Sequence, residues 1–175
     1  MRTMNPIARF DLAFSLFCLQ HKFNNQVARL SRAVSHTGDG HLYVVIALVA
    51  FLFDQEQGGV FVLCGLLAFL IELPIYWTVK NSFKRRRPPE LSEQLISFIT
   101  PSDRYSLPSG HTAAGFVMAT LISYFYPPLA PIALTWAALI GLSRILLGVH
   151  FITDVVIGIA LGVGCAEIAM NLIGV

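Results

Sequence analysis

The chain has 175 residues, of which 55% are hydrophobic and 13% charged, and its formal net charge at pH 7 is +2. A mean hydropathy of +0.68 is typical of an integral membrane protein and excludes a soluble domain. We therefore expect an all-α membrane bundle, one domain over residues 1–175, with five to six transmembrane helices of about 20 apolar residues each. No nucleic-acid partner is expected.

Residues 1–36 are predicted to form an amphipathic segment that lies in the membrane interface. The first apolar run of this segment, from Phe10 to Leu19, is too short to span a bilayer and contains Asp11. Its apolar residues recur at helical spacing, with Arg9, Asp11 and Ser15 off that face. The competing interpretation is a cleaved signal peptide, but the acidic residue and the absence of a small-residue cleavage site count against it.

Five apolar segments follow as predicted spans. They cover residues 37–53, 58–79, 112–126, 132–142 and 151–175, and a sixth span is possible at residues 7–20. The polar stretch 80–107 is predicted to be a loop of about 28 residues, which is long enough to suggest a function. Glu72 lies inside the second span, where a carboxylate is either functional or a satisfied packing residue, and we do not place it in the site.

Because successive spans end on opposite sides of the bilayer, the polar clusters of this chain are expected to meet at one face. The second and fourth spans end there, and the third and fifth begin there. This order brings together a set of cationic and imidazole side chains: Lys80, Arg87, His111, Arg144 and His150. Such a pocket at a membrane interface suits a phosphate that is joined to an apolar tail.

Two local patterns in these clusters indicate phosphoryl chemistry. Ser109 is expected to cap the helix that begins near residue 112, and Gly110 lets its backbone approach a phosphate closely. His150 and Asp154 are four residues apart, so on a helix they would share a face and the carboxylate could orient the imidazole. His150 therefore suits the role of nucleophile better than His111 does. The alternative is a buried structural ion pair.

The three clusters together resemble the signature of the type 2 phosphatidic acid phosphatase superfamily. The motifs lie at residues 80–88, 108–111 and 143–154, and all three are complete, in order and correctly spaced. By that resemblance one group of residues holds the phosphate: Lys80, Arg87, Ser109, Gly110 and Arg144. A second group performs the chemistry, with His150 as nucleophile, Asp154 as its partner and His111 as general acid.

The resemblance implies a lipid phosphatase of the bacterial inner membrane that works through a phosphohistidine and needs no metal or other cofactor. Its partners would be the lipid phosphate substrate and membrane lipids, and the substrate would be phosphatidate, phosphatidylglycerophosphate or undecaprenyl diphosphate. The alternatives are a lipid phosphotransferase, a vanadate-dependent haloperoxidase, whose known forms are soluble, and a non-catalytic scaffold, which would have lost catalytic residues. The oligomeric state stays open.

Two features remain outside the signature. The cations at residues 84–86 either are solvated or bind anionic lipid headgroups. His21, His36 and His41 are interpreted as interfacial or hydrogen-bonded residues, because none has a second ligand at a useful helical spacing.

The charge distribution conflicts with the orientation that the resemblance implies. All twelve Lys and Arg residues fall in the N-terminal segment or on the catalytic face, and the positive-inside rule would make that face cytoplasmic. The resemblance implies an active site facing the periplasm, and this is the orientation that we expect.

Overall fold

The computed structural model describes residues 6–20 and 24–175, and in these ranges it contains helices and no strand. The elements, in chain order, are α1 (Pro6–Leu19), α2 (Asn24–His36), α3 (His41–Phe53), α4 (Gly58–Phe83), α5 (Pro88–Leu91), α6 (Gly110–Phe125), a 3-10 turn (Pro127–Leu129), α7 (Ala130–Leu146) and α8 (Ile152–Ile173). The prediction of an all-α fold is confirmed.

Helix α6 is the centre of the bundle. It packs along both α7 and α8 and also against α4, and most of its residues are buried. Contact with α8 is close because Gly158 and Gly162 face α6. A Cβ atom added at Gly162 would lie 2.2 Å from the carbonyl oxygen of Ala113. This contact sets the start of α6 beside the start of α8.

Three helical segments among the described residues are long and apolar enough to cross a membrane. They cover Gly58–Leu91, Pro127–Leu146 and Ile152–Ile173, and α2 with α3, bent by 41°, would make a fourth if the pair is one span. The membrane-spanning character is therefore confirmed, while the number of five to six spans remains a prediction. Large apolar side chains, such as Leu66 and Leu70 of α4, face outward, as lipid contact requires.

The predicted first span does not extend back through residues 37–40. Helix α2 ends at His36 and α3 begins at His41. Between them, Gly40 has a φ of +96°, a left-handed conformation that interrupts a right-handed helix and that glycine adopts without steric cost. The resulting turn places Asp39 at the catalytic face.

The predicted loop at 80–107 begins four residues later than the polar composition suggested. Helix α4 continues through Lys80 to Phe83 because polar side chains there bond to helical carbonyl groups instead of ending the helix. Asn81 donates to the carbonyl of Trp77 at 2.8 Å. The helix ends at Lys84, whose φ is +47°. Helix α7 likewise runs to Leu146, beyond the predicted end near residue 142, and so carries Arg144 on its last turn.

Helix α1 has the predicted two-sided character. Apolar side chains on one side are exposed, including Phe10 at 58% and Phe17 at 82%, whereas Asp11 and Ser15 are buried against the bundle. The polar side of α1 thus faces the protein and its apolar side faces outward, as expected for a helix in a membrane interface. The interpretation of His21 falls outside the described residues.

Candidate active site

A cavity of about 860 Å³ lies between the α2–α3 turn, helix α4, residues 99–103, and the adjoining ends of α6 and α7. Four of the eight predicted site residues line this cavity: Gly110, His111, Arg144 and His150. The other four, Lys80, Arg87, Ser109 and Asp154, are buried and do not line it. The three motifs therefore meet at one place, although only half of the residues face it.

Lys80 and Arg87 converge on one carboxylate. The Lys80 ammonium lies 2.7 Å from Oδ1 of Asp103, and Nη2 of Arg87 lies 2.7 Å from the same oxygen. Asp103 lines the cavity in front of both cations. Burial raises the pKa of Asp103, but hydrogen bonds from Lys80 and Tyr76 and the nearby charges hold it below its usual value. The carboxylate is therefore ionised at neutral pH.

Asp103 and Tyr76 were not identified from the sequence. The Tyr76 hydroxyl donates to Oδ2 of Asp103 at 2.9 Å, so three donors orient this carboxylate. The available signal was an acidic residue in a long loop, six positions before the predicted helix cap. A loop carboxylate has no periodic pattern that would indicate which cations it meets.

Ser109 and Gly110 occupy the start of α6, but their contacts differ from the prediction. The Ser109 hydroxyl is 2.8 Å from the hydroxyl of Thr112 and makes no side-chain bond to a backbone amide of the helix. Ser109 thus occupies the predicted cap position, but its side chain does not cap the helix. At Gly110 an added Cβ would lie 2.9 Å from the Tyr76 ring, so packing against Tyr76 already requires glycine here. The amides of the first turn remain suited to an anion.

Among the three predicted phosphate-binding cations, Arg144 is the one that lines the cavity. It is 4% exposed, and its Nη1 donates to the Ser35 hydroxyl at 2.6 Å. Its Nε is buried without a hydrogen-bond partner among the described residues. A guanidinium with unused donors beside a cavity is well suited to an anionic ligand.

His150 and Asp154 are adjacent, but they do not share a helix face as predicted. Helix α8 begins at Ile152, so His150 precedes it. Its Nδ1 lies 3.6 Å from Oδ2 of Asp154, which is longer than a hydrogen bond, and Nδ1 has no hydrogen-bond partner within the described ranges. Burial lowers the pKa of His150 to about 4, more strongly than Asp154 raises it. The imidazole is thus neutral, and Nε2 is the nitrogen left for the cavity.

His111 has an acidic partner that the sequence analysis missed. Its Nε2 is 2.7 Å from Oδ1 of Asp39, and Oδ2 of Asp39 is 2.6 Å from Nδ1 of His36. Burial raises the pKa of Asp39, but the hydrogen bonds to the two imidazoles lower it overall. The interpretation of His36 as a hydrogen-bonded residue fits this contact. The described part of the chain contains no group of three or more metal-ligating side chains.

The cation block at residues 84–86 was predicted to be solvated or bound to lipid, and for Arg85 both alternatives are wrong. Its guanidinium bonds Asp11 through Nη2 and donates from Nη1 to Oδ1 of Asp154 at 2.6 Å. It also lies 4.5 Å from the centre of the Phe151 ring. Arg85 therefore connects helix α1 to the carboxylate beside His150, and the signal for this link was the unusual Asp11 within an apolar run.

Known proteins resemble this chain in sequence. The sequence profile described as the PAP2 superfamily matches residues 57–174. Phosphatidylglycerophosphatase B of Bacillus subtilis is 30% identical over 132 residues, which cover 69% of this chain and 61% of that protein. The chain thus spans less than two thirds of that relative. Decaprenylphosphoryl-5-phosphoribose phosphatase of Mycobacterium tuberculosis (strain H37Rv) is 30% identical over 139 residues, covering 75% of this chain and 72% of that one.

Two solved structures have the same fold. The crystal structure of Aquifex aeolicus LpxE superposes with a TM-score of 0.79 and 28% identity, covering 91% of this chain and 94% of that one. A transmembrane PAP2 type phosphatidylglycerolphosphate phosphatase from Bacillus subtilis gives a TM-score of 0.74 at 22% identity, with coverage of 97% and 87%.

Proposed function

Since this chain belongs to the PAP2 superfamily, a family of phosphatases, we propose that it removes a phosphate from a lipid phosphomonoester or lipid pyrophosphate through a phosphohistidine. The observation that carries this proposal is the meeting of His111, Arg144 and His150 on one cavity. That cavity lies between helices with outward apolar faces, as a substrate with one ionic end and an apolar tail requires.

In the first chemical step Nε2 of His150 attacks the phosphorus atom. The nitrogen–phosphorus bond forms as the bond to the lipid oxygen breaks, and the electron pair leaves with that oxygen. His111, which also lines the cavity, donates the proton that the departing oxygen takes up. The products of this step are the dephosphorylated lipid and a phosphohistidine at residue 150.

In the second step water attacks the phosphohistidine. His111, now neutral, accepts a proton from the water, inorganic phosphate leaves, and the imidazole of His150 is regenerated. Asp154 acts as the positioning partner of His150. A phosphotransferase would use the same intermediate with an alcohol in place of water, and no contact in the cavity favours that reaction.

The positive charge that phosphoryl transfer requires comes from Lys80, Arg87 and Arg144. Arg144 contacts the phosphate directly, because it lines the cavity and is not paired with a carboxylate among the described residues. The Asp103 carboxylate lies between the cavity and the other two cations. Direct contact of the phosphate with Lys80 and Arg87 therefore requires the 99–103 segment to shift.

The substrate is a lipid phosphate of the kind that the relatives are named for. The test is release of inorganic phosphate by the purified, detergent-solubilised protein from phosphatidate, phosphatidylglycerophosphate and undecaprenyl diphosphate. The same preparation of a His150→Ala variant is the control. Phosphate release by the unsubstituted protein alone is expected, and release by neither protein from any of these lipids contradicts the proposal.

The protein belongs in the bacterial inner membrane, and we propose that the catalytic face is periplasmic. The positive-inside rule argues for the opposite orientation. It carries less weight here because some of the cations that it counts are bound by groups of the protein itself. Arg85 is bonded to two carboxylates, and Arg32 donates to the carbonyl of Phe98 at 2.7 Å. Since α8 leads away from the catalytic face, a reporter fused after Val175 is expected in the cytoplasm. A periplasmic signal contradicts this orientation.

A further inference from the structure

The wall of the cavity holds two polar side chains that the proposed chemistry does not use. Glu72 of α4 is 3% exposed and Tyr43 of α3 is 6% exposed, and both line the cavity. The Tyr43 hydroxyl is buried without a hydrogen-bond partner among the described residues. The Glu72 carboxyl makes no hydrogen bond or ion pair with any part of the chain that the structure describes. Buried polar groups are normally satisfied, so the unpaired Tyr43 hydroxyl, with the unpaired Glu72 carboxyl on the same cavity, indicates a missing ligand.

The Tyr43 hydroxyl is held in place by its ring. The ring stacks on Phe69 with centroids 6.0 Å apart and meets the edge of Trp136 at 5.7 Å. Aromatic contacts on both sides fix the direction of the hydroxyl, so it cannot turn away to find another partner. The place of this hydroxyl, on a residue that lines the cavity, is therefore fixed by the packing of α3 against its neighbours.

The position of Glu72 relates this pair to the phosphate end of the cavity. Glu72 precedes Lys80 by two turns of α4, which is about 12 Å along the helix axis. Side chains of a helix lean toward its N-terminus, so the Lys80 ammonium reaches back over the Tyr76 ring, at 4.5 Å from its centre. Tyr43 and Glu72 line the same cavity as His111, Arg144 and His150, and Glu72 lies farther along α4 from the end that carries Lys80. The part of a substrate that follows its phosphate in this direction would meet the two side chains.

We propose that Tyr43 and Glu72 form a subsite for the hydroxyl groups of a glycerol or sugar unit that joins the phosphate of the substrate to its lipid tail. This inference rests on the proposed function and specifies its substrate class. A hydroxyl suits both partners, because it donates to a carboxylate and also accepts from the Tyr43 hydroxyl. A lipid whose phosphate is attached directly to an apolar chain would leave both groups unpaired, and the site selects against it.

The test uses two probes that differ only in hydroxyl groups. One is dodecyl glucoside 6-phosphate, and the other is its 2,3,4-trideoxy analogue, both in mixed micelles. The measured quantity is the ratio of kcat/KM for the two probes, which cancels differences in protein amount and in general activity. For the unsubstituted protein we expect a preference for the hydroxylated probe on the order of tenfold or more.

Tyr43→Phe and Glu72→Met each remove hydrogen-bonding atoms at nearly constant side-chain volume. Both are expected to bring the ratio toward one by slowing hydrolysis of the hydroxylated probe, while hydrolysis of the trideoxy probe is retained. Tyr126→Phe is the matched control, because that hydroxyl bonds Asp54, 3.0 Å away, outside this cavity. It should keep the full preference.

Equal hydrolysis of the two probes by the unsubstituted protein overturns the subsite. So does an equal loss on both probes in Tyr43→Phe and Glu72→Met, because that is the signature of a structural role. If one of the three lipids used to test the proposed function is hydrolysed but the glucoside phosphate is not, the subsite is rejected and the proposed phosphatase activity is retained. If neither the two probes nor any of those three lipids releases phosphate, the proposed function itself is rejected.

Discussion

The Nδ1 atom of His150 lies 3.6 Å from Oδ2 of Asp154, although the two residues belong to different elements. His150 precedes α8, and Asp154 is in its first turn. The Asp154 carboxylate is oriented without His150, because it accepts from the backbone amide of Phe151 at 2.8 Å and from Arg85 at 2.6 Å. The partner of the proposed nucleophile is thus positioned by Arg85, which Asp11 of α1 also holds.

Replacing Arg85 should therefore weaken both folding and catalysis. Arg85→Gln leaves the buried carboxylates of Asp11 and Asp154 without their shared cation, and the free energy of unfolding is expected to fall on the order of 3 kcal/mol. Arg86→Gln is the matched control, since Arg86 is exposed and loses the same charge. Thermal unfolding in detergent measures the effect on folding, and kcat/KM at temperatures below the unfolding transition measures the effect on catalysis. Equal behaviour of the two variants would show that this link is unnecessary.

The alternation of spans explains why the sequence predicted much of the site. It requires the ends of α4 and α7 and the starts of α6 and α8 to meet, so the convergence of His111, Arg144 and His150 followed from chain order alone. It contains no information about the partners of these residues. The position of Asp39 depends on a turn at one glycine, and Asp103 lies in a segment whose sequence has no periodic pattern.

Predictions from local composition also misplaced the ends of the helices. The polar residues after Val79 were interpreted as a loop, but their side chains bond back to the helix and prolong α4. Asp11 was correctly placed on the polar side of α1, yet its contact with Arg85 joins positions 74 residues apart. Pairings of this kind depend on the packed bundle, and a single sequence does not specify them.

The two histidines should differ in their dependence on the leaving group. His111→Ala is expected to slow the first step, transfer of phosphate to the protein, about 10²- to 10⁴-fold for a lipid phosphate, the usual range for general acid catalysis. For p-nitrophenyl phosphate, whose phenolate leaves without a proton, the first-turnover burst of p-nitrophenolate should be slowed much less, although later turnovers wait for hydrolysis of the intermediate. His150→Ala should be inactive on both substrates. If the aryl phosphate restores activity to His150→Ala but not to His111→Ala, the two roles must be exchanged.

Protonation of His150 should reduce stability in acid. Its pKa is about 4 in the folded protein and about 6.5 when exposed, so the unfolded chain binds the extra proton between these values. Stability from this group is complete above about pH 6.5 and falls by about 3 kcal/mol as the pH approaches 4. His150→Gln should flatten the dependence of thermal unfolding on pH in that window, whereas substitution of the exposed His41 by Gln should not. A slope that is the same in all three proteins contradicts the burial of a neutral His150.

Activity should not require a divalent metal. The proposed site supplies its positive charge through Lys80, Arg87 and Arg144, so phosphate release is expected to continue after exhaustive treatment with EDTA. The measurement compares treated protein with and without added magnesium. Loss of activity on chelation and its recovery with magnesium would contradict this assignment of charge.

The most direct test of the account is the chemical identity of the phosphorylated residue. In a His111→Ala variant given an aryl phosphate, transfer to the protein needs no general acid, while attack by water lacks its base, so the intermediate should accumulate. Rapid quenching at alkaline pH and peptide mapping are expected to locate an acid-labile phosphate on His150, and a His111→Ala, His150→Ala double variant should carry none. Phosphate on another residue, or turnover without any protein-bound phosphate, would contradict a nucleophilic His150.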